Sequence, residues 1–180
     1  MDLLKNIVLG IDRLNEWVGR SISWVAVLMV AVVTGDVIMR YLFGKSFVFM
    51  QELEWHLFGV LFLIGAGYTL LHDSHVRVDI FYQRLTERQQ AWINLLGVLI
   101  FLLPGCFLVL DTSIPYTAAS WAVGEGSPDP GGLPARYLLK AVIPLGFTLL
   151  TLQGLAMGLR SIMLLAGHSV GPERSKGLQS

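Results

Sequence analysis

Charge is scarce in this chain. Only 14% of its 180 residues are Asp, Glu, Lys or Arg, against roughly a quarter in soluble domains. With 54% hydrophobic residues and a mean hydropathy of +0.62, that shortage describes a chain made for the bilayer. Its 13 basic and 13 acidic residues cancel, so no net field draws it to nucleic acid or to an acidic partner. One cysteine, Cys106, excludes an internal disulfide and a Cys-rich metal site. It lies in an apolar run and reads as a small packing side chain. Its four histidines suggest no haem site. His56 and His72 share one helix and stand about 24 Å apart along it, too far to clamp one haem. No nucleophile–base pair, phosphate loop, zinc pattern or internal repeat is present, which speaks against an enzyme.

What remains is long apolar stretches. A spanning helix needs about 20 mostly apolar residues, because every backbone polar group must be satisfied within it. Four stretches qualify: Ser21–Tyr41, Glu54–Leu71, Ala91–Leu110 and Ala141–Leu159. The expected fold class is therefore all-α and membrane-integral, a single four-helix domain over residues 1–166. A disordered tail is expected over 167–180. Lys140 and Arg160 bracket the last span, about 30 Å apart, and snorkel to opposite interfaces. Lys5, Arg13 and Arg20 precede the first span as in a signal peptide. That apolar region is too long, however, and ends in no small-x-small cleavage site, so it reads as an uncleaved helix.

Four spans put both termini on one side. With the termini cytoplasmic, that side carries Lys5, Arg13, Arg20, Arg77, Arg84, Arg88, Arg160, Arg174 and Lys176. The other side carries Arg40, Lys45, Arg136 and Lys140. The basic excess predicts cytoplasmic termini. In the link His72–Gln90, Thr86 and Gln89 form a capping box that starts the third helix near Thr86. Ile80, Phe81 and Leu85 alternate there with Gln83 and Arg84, as in a short segment on the cytoplasmic surface. The link Asp111–Tyr137 faces outward. Pro115, Pro128, Pro130, Pro134 and the pair Gly131-Gly132 predict that no regular helix runs through SPDPGGLP, Ser127–Pro134. Tyr116 and Trp121 suit its interface. Pro104 and Pro144 are expected to kink the third and fourth helices.

Polar residues near the spans are the functional candidates, because ionisable groups in membranes are costly. Asp36 and Arg40, four apart, suit an intrahelical ion pair; contact with a partner subunit is the alternative. Glu52 and Glu54 fall in the expected first turn of the second helix, where capping accounts for one of them. Both together, beside Trp55 and His56, point to a polar partner on another chain. His75 and Asp79 follow that helix, and with His72 they are too few for a metal site. Gly154 and Gly158 on the fourth helix, beside Gln153, form a small-residue face that admits another helix. Gly59, Gly65, Ala66 and Gly67 do the same on the second. No span is unwound at mid-membrane, where transporters build substrate sites. The residues thus favour a subunit over a self-sufficient carrier.

The run RYLFGKSFVFMQELEW (Arg40–Trp55), the stretch Gly65-Ala66-Gly67 and HVRVDIFY (His75–Tyr82) resemble, in order and spacing, the small membrane subunit of TRAP transporters, the DctQ-like family. The resemblance is strongest over Arg40–Tyr82, and the four-helix length extends it to the whole chain. It implies a small, non-catalytic scaffold subunit in the bacterial inner membrane. Its partners would be a large multi-helix membrane subunit and an extracytoplasmic substrate-binding protein, with sodium coupling on the large subunit and no cofactor on this chain. The longer outer loop is similar to that of a subgroup linked to 2-oxo acids and related monocarboxylates rather than dicarboxylates. Arg40, Glu52, Glu54, Trp55, His75, Asp79, Gly154 and Gly158 are the interface candidates. The competing readings are a membrane anchor of a respiratory or enzymatic complex and a small homodimeric exporter. The exporter requires a mid-bilayer carboxylate, and Asp36 sits too near the outer interface to serve.

Overall fold

The chain is described from a computed structural model, which covers residues 2–72, 82 and 84–167. These residues form four long helices and, among themselves, no strand. α1 runs Asp2–Phe43, α2 Val48–Leu71, α3 Glu87–Ala122 and α4 Arg136–Leu165. All four are long and apolar enough to cross a membrane. The expected capping box opens α3: the Gln89 amide N–H donates to the Thr86 hydroxyl, and Gln89 Oε1 accepts from the Thr86 amide at 2.9 Å. Of the surface segment expected just before it, Arg84 and Leu85 are described, while Ile80, Phe81 and Gln83, together with His75, Asp79 and the tail from 168 onward, lie outside the described residues.

α4 is the central helix and touches the other three. It also carries the longest run of buried positions, Gly146, Gln153, Gly154, Ala156, Gly158, Ser161 and Met163. Small residues explain why. A β-carbon on Gly146 would lie 2.5 Å from the Leu63 carbonyl oxygen on α2, so the two backbones are in contact there. One on Gly67 would run into the Asn15 side chain of α1 and one on Gly19 into the Tyr68 ring. These are the close approaches by which helices associate in lipid, where no hydrophobic force drives one helix against another. Buried apolar side chains are correspondingly few among the described residues: Leu70, Ala91, Leu95, Val98, Cys106 and a cluster of Val8, Ala156 and Met163, with Ile11 and Leu159 packed against it. Most large apolar side chains, such as Trp24, Phe62, Phe101 and Phe107, point outward, as a bilayer requires.

Three helix boundaries differ from expectation. α1 begins 19 residues before the apolar stretch, because Asp12 and Asn15 bind α4 and hold that section as helix. α2 begins at Val48, so Glu52 and Glu54 sit in its second turn, beyond the reach of the terminal dipole. α3 continues through Pro115 to Ala122 instead of breaking at Asp111. Packing decides this: Ser113 and Ser120 are buried, Thr117 bonds α4, and the Trp121 ring meets Tyr137 edge-on at 4.7 Å. The expectation of no regular helix through Ser127–Pro134 holds: residues 123–135 are not helical, and Gly124 and Gly131 take positive φ there.

Proline leaves a local mark on α3 and on α4. Val98–Leu102 forms a π-helical turn just before Pro104, which absorbs the missing N–H and the ring clash with the preceding turn. Pro144 supplies no N–H to the Lys140 carbonyl. The Thr117 hydroxyl of α3 donates to that carbonyl instead, at 3.1 Å.

Candidate functional site

Two polar assemblies, one at each end of the bundle, hold the helices in register. At one end Asp12 of α1 accepts from Arg160 of α4 and, at 3.1 Å, from Gln153 Nε2. Gln153 Oε1 accepts in turn from Asn15 Nδ2 at 2.9 Å, and both side chains are buried. The Asp12–Arg160 ion pair is part-buried, so desolvation offsets much of its Coulombic gain, while its hydrogen bonds to buried partners link α1 to α4. Alongside, His72 and Glu16 approach at 2.7 Å, and Glu16 pairs with Arg20.

The other end is built around residues 123–135. Glu52 of α2, 6% exposed, accepts from the Ser127 hydroxyl and from the Leu133 amide N–H, the latter at 2.6 Å. Glu125 accepts from Lys140 and, at 2.5 Å, from Ser120. The Lys140 hydrogen bond, then that of Ser120, holds its carboxyl below the ordinary value. Backbone bonds Arg136 N–H to Glu125 O (2.8 Å) and Ser127 N–H to Leu133 O (3.0 Å) close the loop on itself. The Arg136 guanidinium lies 5.4 Å from the Trp55 ring centre, and Lys140 Nζ lies 4.1 Å from that of Tyr116. The result is a folded strap tied to α2 through Glu52 and to α4 through Glu125.

The sequence candidates divide accordingly. Arg40 pairs with Asp36 as expected, and its side chain stays about half exposed while Asp36 is buried. Glu54 is half-buried with no partner among the described residues, and Trp55 is exposed. Glu52 is taken up by the chain's own loop. Gly154 and Gly158 turn toward α3: Leu102 fills the space against Gly154, and Val98 Cγ1 would be 3.5 Å from a β-carbon on Gly158. Sequence reasoning missed Asp12 and Asn15. Their signal was present, since Asp12 and Asn15 share one helix face, as do Gln153 and Arg160 seven residues apart.

A bundle of four spanning helices, cross-tied by polar pairs and carrying no metal-type cluster of His, Cys, Asp or Glu among the described residues, defines a polytopic membrane component. Residues 29–163 match the family described as tripartite ATP-independent periplasmic transporters, DctQ component. The chain belongs to that family, the small membrane subunits of TRAP transporters, which are non-catalytic. No curated protein and no solved structure matches the chain.

Proposed function

We propose that this chain is the fixed scaffold subunit of a sodium-coupled, binding-protein-dependent importer of organic acids. The observation that carries the reading is where the buried and part-buried polar side chains between the helices go. Asp12, Asn15, Gln153 and Arg160 bind one another, and Glu52 binds its own loop. They hold helices together rather than line a path for an ion or an acid, in keeping with family membership over residues 29–163. Sodium and substrate sites then reside on a large membrane subunit. Arg40, Glu54 and Trp55 at the outer rim face that partner or the docked binding protein. Glu52 acts through the strap it holds.

The test is reconstitution in proteoliposomes. Uptake is expected only when this chain, the large subunit, the binding protein and an inward sodium gradient are all present. Arg40→Ala with Glu54→Ala should lower coupled uptake while leaving the large subunit's sodium affinity nearly unchanged. Sodium-driven uptake by this chain alone would end the scaffold reading.

The basic excess places both termini and the 72–90 link in the cytoplasm. The strap then faces outward, in the compartment of the binding protein. A cysteine at Ser127, in a Cys106→Ser background, should react with an impermeant thiol reagent in intact cells. Labelling from the outside at Ser175 in place of Ser127 would reverse the orientation.

A further inference from the structure

The contacts between α3 and α4 fix depth along α3. Thr117 bonds the Lys140 carbonyl, Leu102 lies against Gly154, and Val98 against Gly158. Lys140 and Arg160 bracket the apolar stretch of α4, so the matching stretch of α3 runs from about Val98 to Thr117, roughly 29 Å. Asp111 lies inside it. It stands six residues below Thr117, about 9 Å deeper than the level of Lys140.

Asp111 is exposed on the outer face of α3 and has no partner among the described residues. Phe107, Leu108 and Ile114 around it are 72%, 65% and 57% exposed. Asp12, Asp36 and Glu125 each meet a cation of this chain, and Glu52 meets two donors. A carboxylate facing hydrocarbon without a partner is costly, and such groups mark contacts or pathways. The Asp111 carbonyl lacks its regular helical donor as well. Pro115 carries no N–H for the Asp111 carbonyl, and no side chain among the described residues donates to it, whereas Thr117 fills the same role for Lys140 beside Pro144. One residue therefore offers two acceptors on an apolar outward face.

We propose that this face of α3, centred on Asp111, docks a helix of the large membrane subunit, and that an Arg or Lys on that helix donates to the Asp111 carboxylate and carbonyl. The assignment rests on the reading of this chain as a small subunit. Charge complementarity selects a basic side chain. The planar fork of Arg, with five donors, suits the paired acceptors best. The surrounding Phe107, Leu108 and Ile114 supply the apolar rim that keeps water from the pair.

The experiment is co-purification of the chain with its tagged large subunit. Asp111→Lys should lower complex yield by about ten-fold and Asp111→Asn by a few-fold, on the scale of one lost interfacial charge pair. The amount of monodisperse chain expressed alone should not change, because this face touches nothing in its own bundle. Should Asp111→Lys lower that amount as well, Asp111→Asn and a thiol measurement decide. Asp111→Cys with Cys106→Ser should be protected from both impermeant and lipid-soluble maleimides only in the assembled complex. Equal reaction with the impermeant reagent, with and without the partner, would show that water covers this face. Equal reaction with the lipid-soluble reagent alone would show lipid. Either result overturns the proposal, as does assembly of Asp111→Lys at the wild-type yield. If the wild-type chain co-purifies with no large subunit, the subunit reading falls and this docking face falls with it.

Discussion

Gly146→Ala should cost this protein about 1–3 kcal/mol, the usual range for overpacking a tight site, and Gly146→Leu should abolish a monodisperse bundle. The added β-carbon lies 2.5 Å from a backbone oxygen, that of Leu63, with the Leu63 carbonyl carbon at 2.8 Å. No rotamer change relieves such a contact; α2 and α4 must separate. Gly154 makes the contrast. Its β-carbon would meet the end of the Leu102 side chain, which can swing away, so Gly154→Ala should be milder. Gly158→Ala, with its nearest neighbour at 3.5 Å, should be close to neutral. Thermal unfolding in detergent, followed by the monomer peak in size exclusion, ranks the three. An equal loss at Gly146 and Gly158 would show that backbone contact between α2 and α4 does not set the stability of the bundle.

Span number, the start of α3 and the Asp36–Arg40 pair follow from local rules: apolar length, a capping box and i,i+4 spacing. The boundaries that escaped were set by partners distant in sequence. Hydropathy ends the third span at Leu110, but Ser113, Thr117 and Ser120 are the buried face of a helix packed on α4, and packing carries the chain through Pro115. Asp12 and Asn15 look like polar residues ahead of a span until Gln153 and Arg160 are placed opposite them. The candidate site shows the same division. Glu52 was identifiable as a residue needing a partner, but its donors, Ser127 and the Leu133 amide, lie 75 and 81 residues away. An acidic pair beside an aromatic residue says that something binds there and does not say whether the chain supplies it.

Removing that carboxylate should free the outer strap while leaving the bundle folded. In Glu52→Ala, Leu133 loses its acceptor and Ser127 loses the group that holds it to α2, while Glu125, Lys140 and Ser120 still tie the strap to α3 and α4. Amide exchange at Leu133 should therefore rise by about ten-fold or more, because local opening no longer breaks a charge-assisted bond. Exchange at the helix centres should barely move. Glu52→Gln should fall between the two, since its amide oxygen still accepts from Leu133 and its NH2 group can donate to the Ser127 oxygen. Acid should act on the second tie. The folded-state value of Glu125 lies below the ordinary glutamate value of 4.5, held there by the Lys140 and Ser120 hydrogen bonds. Its contribution is thus complete above that ordinary value and is lost as pH falls through the lower, folded-state one. Low pH and Glu52→Ala together should release the strap from both anchors, and in the Glu52→Ala background Glu125→Gln should remove the acid dependence. If the strap is the surface that meets the binding protein, coupled uptake should fall with Glu52→Ala in proportion to Leu133 exchange, at unchanged complex yield. Unchanged exchange at Leu133 in Glu52→Ala would mean that the Arg136–Glu125 and Ser127–Leu133 backbone bonds alone hold the loop, leaving Glu52 free for a partner after all.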